Sequence, residues 1–126
     1  MTRPPIIAIV DDDPGVRGSI VSLLRSAGFE SLAFATAEDL LVSGDRDALA
    51  CIVTDLHMPG MTGIALQQAL IADGWQQPLI AMTAFPTALA QEQMMARGAC
   101  AFLTKPVDPD VLLDSIGAAL QRIPHI

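Results

Sequence analysis

Short apolar runs alternate along this chain with longer segments of helical periodicity, and this alternation restricts the fold more than any other feature. Continuous apolar runs of three to five residues are typical of strands covered on both faces, as in a parallel sheet. The segments between them repeat apolar residues at steps of three and four, which indicates helices with one buried face. The predicted strands cover residues 6–10, 31–34, 51–53, 79–82 and 101–103.

Helix boundaries are marked by capping residues. Asp13 can cap the first helix, with Pro14 at the first helical position and Gly28 placed to end it. Asp108 and Pro109 repeat this arrangement at the start of the last helix. Between these, helices are predicted near 37–43 (capped by Thr36), 63–72 and 87–97.

Five successive strand–helix units predict the α/β class. Because crossovers between parallel strands are right-handed, the helices should cover both faces of one parallel five-stranded sheet, giving a three-layer sandwich. We expect the flavodoxin-like (βα)5 fold with strand order 2-1-3-4-5. The 126 residues suit one domain, with a core over about 6–121 and residues 122–126 as a tail or the start of a linker.

Charge and cysteine content indicate the surroundings of the protein. The net charge is −7, and the seven Lys and Arg are spread along the sequence. Nucleic acids and anionic membranes bind clustered cations, so we expect this domain to contact neither. No transmembrane stretch or signal peptide is recognisable, and Cys51 and Cys100 are interpreted as buried thiols of a reducing compartment. A soluble cytoplasmic protein is therefore expected.

The carboxyl ends of the predicted strands hold most of the reactive side chains. In an open parallel sheet these ends line a single crevice. Carboxylates gathered there would repel one another by about 1–4 kcal/mol per close pair, so the arrangement predicts a bound cation. The strand ends read Asp11-Asp12-Asp13, Thr54-Asp55, Thr83-Ala84 and Thr104-Lys105-Pro106.

The residue types in this crevice suit phosphoryl transfer. Mg²⁺ prefers carboxylate, carbonyl and water oxygens. A carboxylate beside such a cation can attack phosphorus in line while an ammonium and a hydroxyl stabilise the phosphoryl oxygens. Lys105 and Thr83 would supply the ammonium and the hydroxyl. The residues therefore predict a magnesium-dependent phosphoryl-acceptor site.

The chain resembles the receiver domain of bacterial response regulators from Ile6 to about Gln121. The resemblance is carried by Asp11-Asp12, by Asp55 followed by His57-Met58-Pro59-Gly60-Met61-Thr62-Gly63, by Thr83-Ala84 and by Lys105-Pro106. No motif is decisive alone, but the set is specific because each part follows the right strand in the right order. The resemblance implies a phosphorylation switch of a two-component system, which catalyses only its own phosphorylation and dephosphorylation and is otherwise no enzyme.

The resemblance further implies an acceptor and a metal site. Asp55 would take a phosphoryl group from the phosphohistidine of a histidine kinase or phosphotransfer protein. Asp12, Asp55 and the backbone carbonyl of His57 would ligate Mg²⁺ directly, and Asp11 would ligate it through water. Mn²⁺ could substitute. The side chain of His57 would border the site and influence hydrolysis of the acyl phosphate.

The same resemblance implies a switch. Lys105 would contact the phosphoryl oxygens, and Thr83 would move toward them. Phe102 would then turn inward, which changes the face made by helix four, strand five and helix five. That face could mediate a homodimer, and a C-terminal output domain could lie outside this chain. The Lys105–Pro106 peptide would be cis.

In the loop after strand four, Phe85 and Pro86 differ from the small or polar residues common in the family, and could slow phosphoryl loss or bias the switch.

Three other functions are alternatives to a phosphorylation switch. The first is a magnesium-dependent phosphohydrolase, since Asp11 and Asp13 mimic its nucleophile motif, although the carboxylate of strand three would then have no role. A flavin carrier would want a glycine- and hydroxyl-rich loop after strand one. A phosphorylation-independent interaction module would not need the complete pocket.

Overall fold

A computed structural model describes residues 4–121, which form a parallel five-stranded sheet with helices on both faces. The strand order is β2-β1-β3-β4-β5, and every neighbouring pair is parallel. The predicted fold class and strand order are therefore confirmed. The strands are β1 (Ile6–Val10), β2 (Glu30–Phe34), β3 (Leu49–Asp55), β4 (Leu79–Thr83) and β5 (Ala101–Thr104).

The five predicted helices are present. They are α1 (Pro14–Ser26), α2 (Ala37–Val42), α3 (Gly63–Ala72), α4 (Ala88–Ala96) and α5 (Pro109–Gln121). The three helices predicted at 37–43, 63–72 and 87–97 begin and end within one residue of these bounds. A short 3-10 helix, Arg46–Ala48, was not predicted. Within the described range no helix has the length and apolarity to span a membrane. The predicted tail, 122–126, lies outside the described residues.

Side-chain caps explain why these helices begin where they do. The Asp13 carboxylate accepts hydrogen bonds from the backbone N–H groups of Gly15 (2.8 Å) and Val16 (3.4 Å), as predicted for a cap. Asp108 accepts from Asp110 in the same way at α5, over 2.9 Å. At α2, α3 and α4 the capping acceptors are the hydroxyls of Thr36, Thr62 and Thr87.

Two apolar clusters, one on each face of the sheet, form the core. The first joins the sheet to α2, α3 and α4, and the second joins it to α1 and α5. Cys51 is fully buried in the second cluster, and burial raises the pKa of its thiol to about 12. Cys100 was predicted to be buried as well, but it is only half-buried, because it precedes edge strand β5.

Strands β2 and β3 differ from their predicted form. β3 extends through Thr54 to Asp55, because the fully buried Thr54 satisfies its hydroxyl on the Asp55 backbone oxygen at 2.9 Å. The apolar pattern alone predicts a shorter strand, residues 51–53, which ends before these polar residues. β2 was predicted to be covered on both faces, but Glu30 and Ala33 are exposed because β2 is an edge strand that pairs only with β1.

Gly63 allows α3 to begin directly against the end of β3. Its backbone N–H donates to the Leu56 carbonyl over 3.0 Å. A Cβ at this position would collide with the backbone oxygen of Asp55 and come within 2.9 Å of Leu56 Cα. The close approach matters because it lies at the strand end where a reactive carboxylate is predicted.

We expect Gly63→Ala to lower the free energy of unfolding by about 1–3 kcal/mol, since the added methyl group meets backbone that must shift. Gly18→Ala is the matched control, because Gly18 lies inside α1 with open space around its Cβ position. That substitution should raise stability by about 0.5–1 kcal/mol. Urea unfolding followed by circular dichroism measures both. Equal effects of the two substitutions would contradict the proposed steric conflict.

Candidate functional site

Three carboxylates converge at the carboxyl ends of β1 and β3. Val10 pairs with Thr54 in the sheet, so the residues that follow them, Asp11 and Asp55, lie side by side. One carboxylate oxygen from each of Asp11, Asp12 and Asp55 lies within 4.8 Å of the others. Asp11 is 0% and Asp55 5% exposed, whereas Asp12 faces solvent. A single cation could therefore contact several of these oxygens at once.

Lys105 reaches the same place from the end of β5. Its Nζ lies 2.7 Å from Asp11 Oδ2 and 3.4 Å from Asp55 Oδ1. Its backbone N–H donates to the Thr83 carbonyl over 2.8 Å, which ties the loop after β5 to the end of β4. The Lys105–Pro106 peptide is cis, as the resemblance implied. The structure thus brings the predicted lysine and two of the predicted carboxylates into direct contact.

The charges of this cluster perturb one another. Burial raises the pKa of the Asp55 carboxyl; Lys105 opposes that effect, and the negative charge of Asp11 adds to it. Burial lowers the pKa of Lys105, but its hydrogen bond to Asp11 and the two negative charges outweigh burial, and the net shift is upward. Lys105 is therefore held protonated, while ionised Asp55 is disfavoured without further positive charge.

Asp11 is held by contacts on its backbone as well as its carboxylate. Its N–H donates to the Phe34 carbonyl over 3.1 Å, and its Oδ1 accepts from the Asp13 N–H over 2.9 Å. Its carbonyl oxygen accepts from Arg17 Nη1 over 2.7 Å. Sequence reasoning missed Arg17. The available signal was a cation one turn into a helix that starts at an acidic loop.

The loops after β3 and β4 touch each other beside the cluster. Thr83 is fully buried, and its Oγ1 accepts a hydrogen bond from the Phe85 N–H over 3.0 Å. Phe85 is 71% exposed, and its ring meets the His57 ring edge-on, with centroids 5.5 Å apart and an interplanar angle of 81°. The hydroxyl of Thr83 is therefore engaged with its own loop in this structure.

Phe102 lies further down the sheet than the other predicted site residues. It pairs with Ala81 in β5, is half-buried and packs against the first apolar cluster. Phe102 and its pairing partner Ala81 point to the same face of the sheet, the one covered by the first apolar cluster. Thr83 is two residues beyond Ala81 in β4 and therefore points to that face as well. Trp75 lies before β4, at the opposite end of the sheet, where it stacks under the Arg46 guanidinium at 5.4 Å.

The donor set fits a small hard cation. All three clustered side chains offer carboxylate oxygens, the ligands preferred by Mg²⁺ and related ions. The Asp12 carboxylate has no hydrogen-bond or ion-pair partner among residues 4–121, so its oxygens are available. Two acids in contact with one lysine, and a third acid beside them, leave an excess of negative charge that a divalent cation would balance.

Comparisons with known proteins agree on one family. The sequence-family model of the response regulator receiver domain matches residues 7–117 of this chain. Nodulation protein W of Bradyrhizobium diazoefficiens is 35% identical over 117 residues, and the transcriptional regulatory protein TdiR of Thauera aromatica is 36% identical over 114. The matches cover 93% and 90% of this chain. They cover only 52% and 50% of the relatives, so the chain spans about half their length.

Solved structures lead to the same family. The response regulator StyR is 40% identical with a TM-score of 0.85, and the match covers 94% of this chain and 60% of that one. The structure of FixJ-N is 28% identical with a TM-score of 0.86, covering 99% of this chain and 100% of that one. These similarities extend across the sheet and the five helices described above.

Without divalent cations, Asp55→Asn should raise the melting temperature. Because the folded-state pKa of Asp55 is raised, ionisation costs stability progressively as the pH rises from the unfolded value through the folded one, and the full cost is present above the folded pKa. The amide keeps an acceptor for the Leu56 N–H and removes the charge. We expect the melting temperature of Asp55→Asn to rise by about 2–5 °C, which corresponds to roughly 1 kcal/mol of unfolding free energy in a domain of this size.

Thermal unfolding at pH 7 in EDTA, followed by circular dichroism, measures this shift. Asp114→Asn is the control, because Asp114 is exposed on α5 and its removal changes the net charge equally. Added Mg²⁺ should stabilise the wild type more than Asp55→Asn. A lower melting temperature for Asp55→Asn than for Asp114→Asn in EDTA would contradict the interpretation.

Proposed function

The chain belongs to the response regulator receiver family, and on that premise we propose that it accepts a phosphoryl group on Asp55 from a histidine kinase or phosphotransfer protein. The observation that supports this most directly is the convergence of three carboxylate oxygens within 4.8 Å. Lys105 contacts two of those carboxylates. A receiver is a signalling switch, and the proposed chemistry is limited to its own phosphorylation and dephosphorylation.

In the proposed transfer, an Asp55 carboxylate oxygen attacks phosphorus as the bond to the donor's imidazole nitrogen breaks, which leaves an acyl phosphate. The Leu56 N–H holds Asp55 Oδ1 at 2.9 Å and so fixes the orientation of the nucleophile. Lys105, already 3.4 Å from that oxygen, neutralises charge on the phosphoryl oxygens. Water later attacks the acyl phosphate and regenerates the carboxylate.

Asp12, Asp55 and the backbone carbonyl of His57 are the proposed direct ligands of Mg²⁺ or Mn²⁺, with Asp11 acting through water. When bound, the ion neutralises negative charge on the carboxylates and the transferred group. The exposure of Asp12 and the burial of Asp11 are compatible with this division, since Asp11 Oδ2 is occupied by Lys105 at 2.7 Å. Asp13 has no part in it because its carboxylate caps α1.

Thr83 and Phe102 are the proposed switch. We propose that the Thr83 side chain turns toward a phosphoryl group on Asp55 and that its Oγ1 thereby releases the Phe85 N–H. The loop after β4 is then released, and space opens on the face of the sheet where Phe102 is half-buried. Inward rotation of Phe102 would change the surface of α4, β5 and α5. The charge added at Asp55 would thus be converted into a change between two conformations of this surface.

The surface of α4, β5 and α5 is the proposed output face, and a homodimer is one of its proposed uses. Apolar side chains are exposed on it: Leu89 is 64%, Met95 42% and Val111 46% exposed. Met94, by contrast, is fully buried. The two curated relatives extend well beyond the matched region, so an output domain outside these 126 residues is also a proposed partner.

The proposed setting is the cytoplasm, and the proposed activity requires neither a membrane nor direct nucleic-acid contact by this domain. A phosphohydrolase with a nucleophile on the loop after β1 is less well supported, because Asp13 is committed to a helix cap and Asp11 to Lys105. Flavin phosphate would be repelled by the acidic cluster. An interaction module without phosphorylation leaves the converging carboxylates unexplained.

Incubation with Mg²⁺ and a small phosphodonor tests the acceptor assignment. The wild type should gain the mass of one phosphoryl group, and Asp55→Asn, which keeps the size and shape of the side chain, should gain none. EDTA should abolish the gain because the cation offsets the charge of the cluster. Intact-mass spectrometry measures each case. Equal modification of both proteins, or none of the wild type, would refute the proposal.

Phe85→Ala should shorten the lifetime of the phosphorylated protein. We propose that the Phe85 ring, which packs edge-on against His57 in the loop after Asp55, limits the access of water to the acyl phosphate. Its removal should then admit water. We expect loss of the phosphoryl group about three to ten times faster, equivalent to roughly 0.6–1.4 kcal/mol of barrier. Val42→Ala is the control, because Val42 is an exposed apolar side chain on α2, outside the proposed output face. Time-resolved intact mass after donor removal gives both rates, and an unchanged rate in Phe85→Ala would contradict the shielding role.

A further inference from the structure

Arg17 makes a contact that the proposed phosphoryl transfer does not use. It lies in α1, and its Nη1 donates to the backbone carbonyl of Asp11 over 2.7 Å in a half-buried setting. This guanidinium therefore folds back onto the loop that leads into its own helix. A charged donor on a backbone acceptor is among the stronger protein hydrogen bonds.

The bond fixes the plane of the peptide that joins Asp11 to Asp12. The carboxylate of Asp11 is held independently by Lys105 and by the Asp13 N–H. The carboxylate of Asp12 has no such partner among residues 4–121, so the direction in which it points depends on the backbone from which it projects. Rotation of the Asp11–Asp12 peptide would redirect Asp12 away from Asp55.

Arg17 also leaves the ligand oxygens of the cluster free. Within the described part of the chain, its guanidinium forms no ion pair with any of the three carboxylates, although Asp11 and Asp12 lie in the loop that precedes its helix. Lys105, in contrast, occupies Asp11 Oδ2 and contacts Asp55 Oδ1. The two cations thus have separate tasks, one on the carboxylates and one on the backbone.

We propose that Arg17 is a positioning residue for the cation site, which holds the Asp11–Asp12 peptide so that the Asp12 carboxylate converges with Asp55. This inference rests on the proposed function, because it assumes that a divalent cation binds the three carboxylates. Residues that orient metal ligands without touching the metal commonly contribute 10–100-fold to metal affinity.

Electrostatics and positioning predict opposite signs for the loss of Arg17. A positive charge near a cation site weakens cation binding, so its removal alone should make Mg²⁺ bind more tightly. Loss of the backbone hydrogen bond should instead make Mg²⁺ bind less tightly, because Asp12 is no longer directed at the site. The direction of the change in affinity therefore decides between the two effects.

The experiment compares Arg17→Met with Arg25→Met. Arg25 is exposed in the last turn of the same helix, so both substitutions remove one positive charge from α1. Mg²⁺ affinity is measured by isothermal titration calorimetry, and Mn²⁺ affinity by the loss of the free-ion signal in electron paramagnetic resonance. Neither readout needs a phosphodonor. Arg17→Gln retains an amide donor without the charge and should recover part of any lost affinity.

We expect Arg17→Met to bind both ions about tenfold more weakly than Arg25→Met. Equal or tighter binding by Arg17→Met would overturn the positioning role. If Arg17→Met does not fold, Arg17→Gln against Arg25→Gln takes its place, and weaker binding by Arg17→Gln is again required. Failure of the wild type to bind Mg²⁺, or binding unchanged by Asp12→Asn, would instead refute the proposed cation site itself.

Discussion

The attraction between Lys105 and two buried carboxylates is the interaction on which the functional end of this fold depends. Two negatively charged carboxylates, Asp11 and Asp55, are buried side by side at the carboxyl ends of inner strands, which alone would destabilise the fold. Lys105 Nζ at 2.7 and 3.4 Å from them compensates part of their charge, and it does so from the far edge strand. The same contact therefore stabilises the ends of three strands and leaves negative charge that a cation can balance.

The rigid apolar sheet makes this placement accurate. β1, β3 and β4 contribute side chains that are almost entirely buried. Their register pairs Val10 with Thr54 and Asp55 with Met82, so the carboxyl ends of neighbouring strands among the three lie within one residue of each other. Loops attached to such strands inherit their position, so a few hydrogen bonds suffice to orient the carboxylates. Gly63 also helps to position the site, since the absence of a side chain lets α3 begin against the backbone of Asp55.

The sequence predicts the features that depend on pattern and strand order. Alternating segments specify the sheet, and the positions of Asp11, Asp55 and Lys105 at strand ends specify their convergence, which the structure contains. It does not predict features that depend on three-dimensional contact. The sequence shows a cation one turn into α1, but not that Arg17 bonds a backbone carbonyl, nor that Cys100 is half-buried at an edge strand. The resemblance to a family added roles, and the geometry added the supporting contacts.

The hydroxyl of Thr83 is hydrogen-bonded within the loop that follows β4. In this structure its oxygen accepts from the Phe85 N–H, and the Phe85 ring in turn touches His57 in the loop that follows Asp55. In the proposed switch the Thr83 side chain turns toward a phosphoryl group on Asp55, and the loop after β4 rearranges as Oγ1 moves away from the Phe85 N–H. The proposed switch would in this way couple charge at Asp55 to the loop that leads into α4.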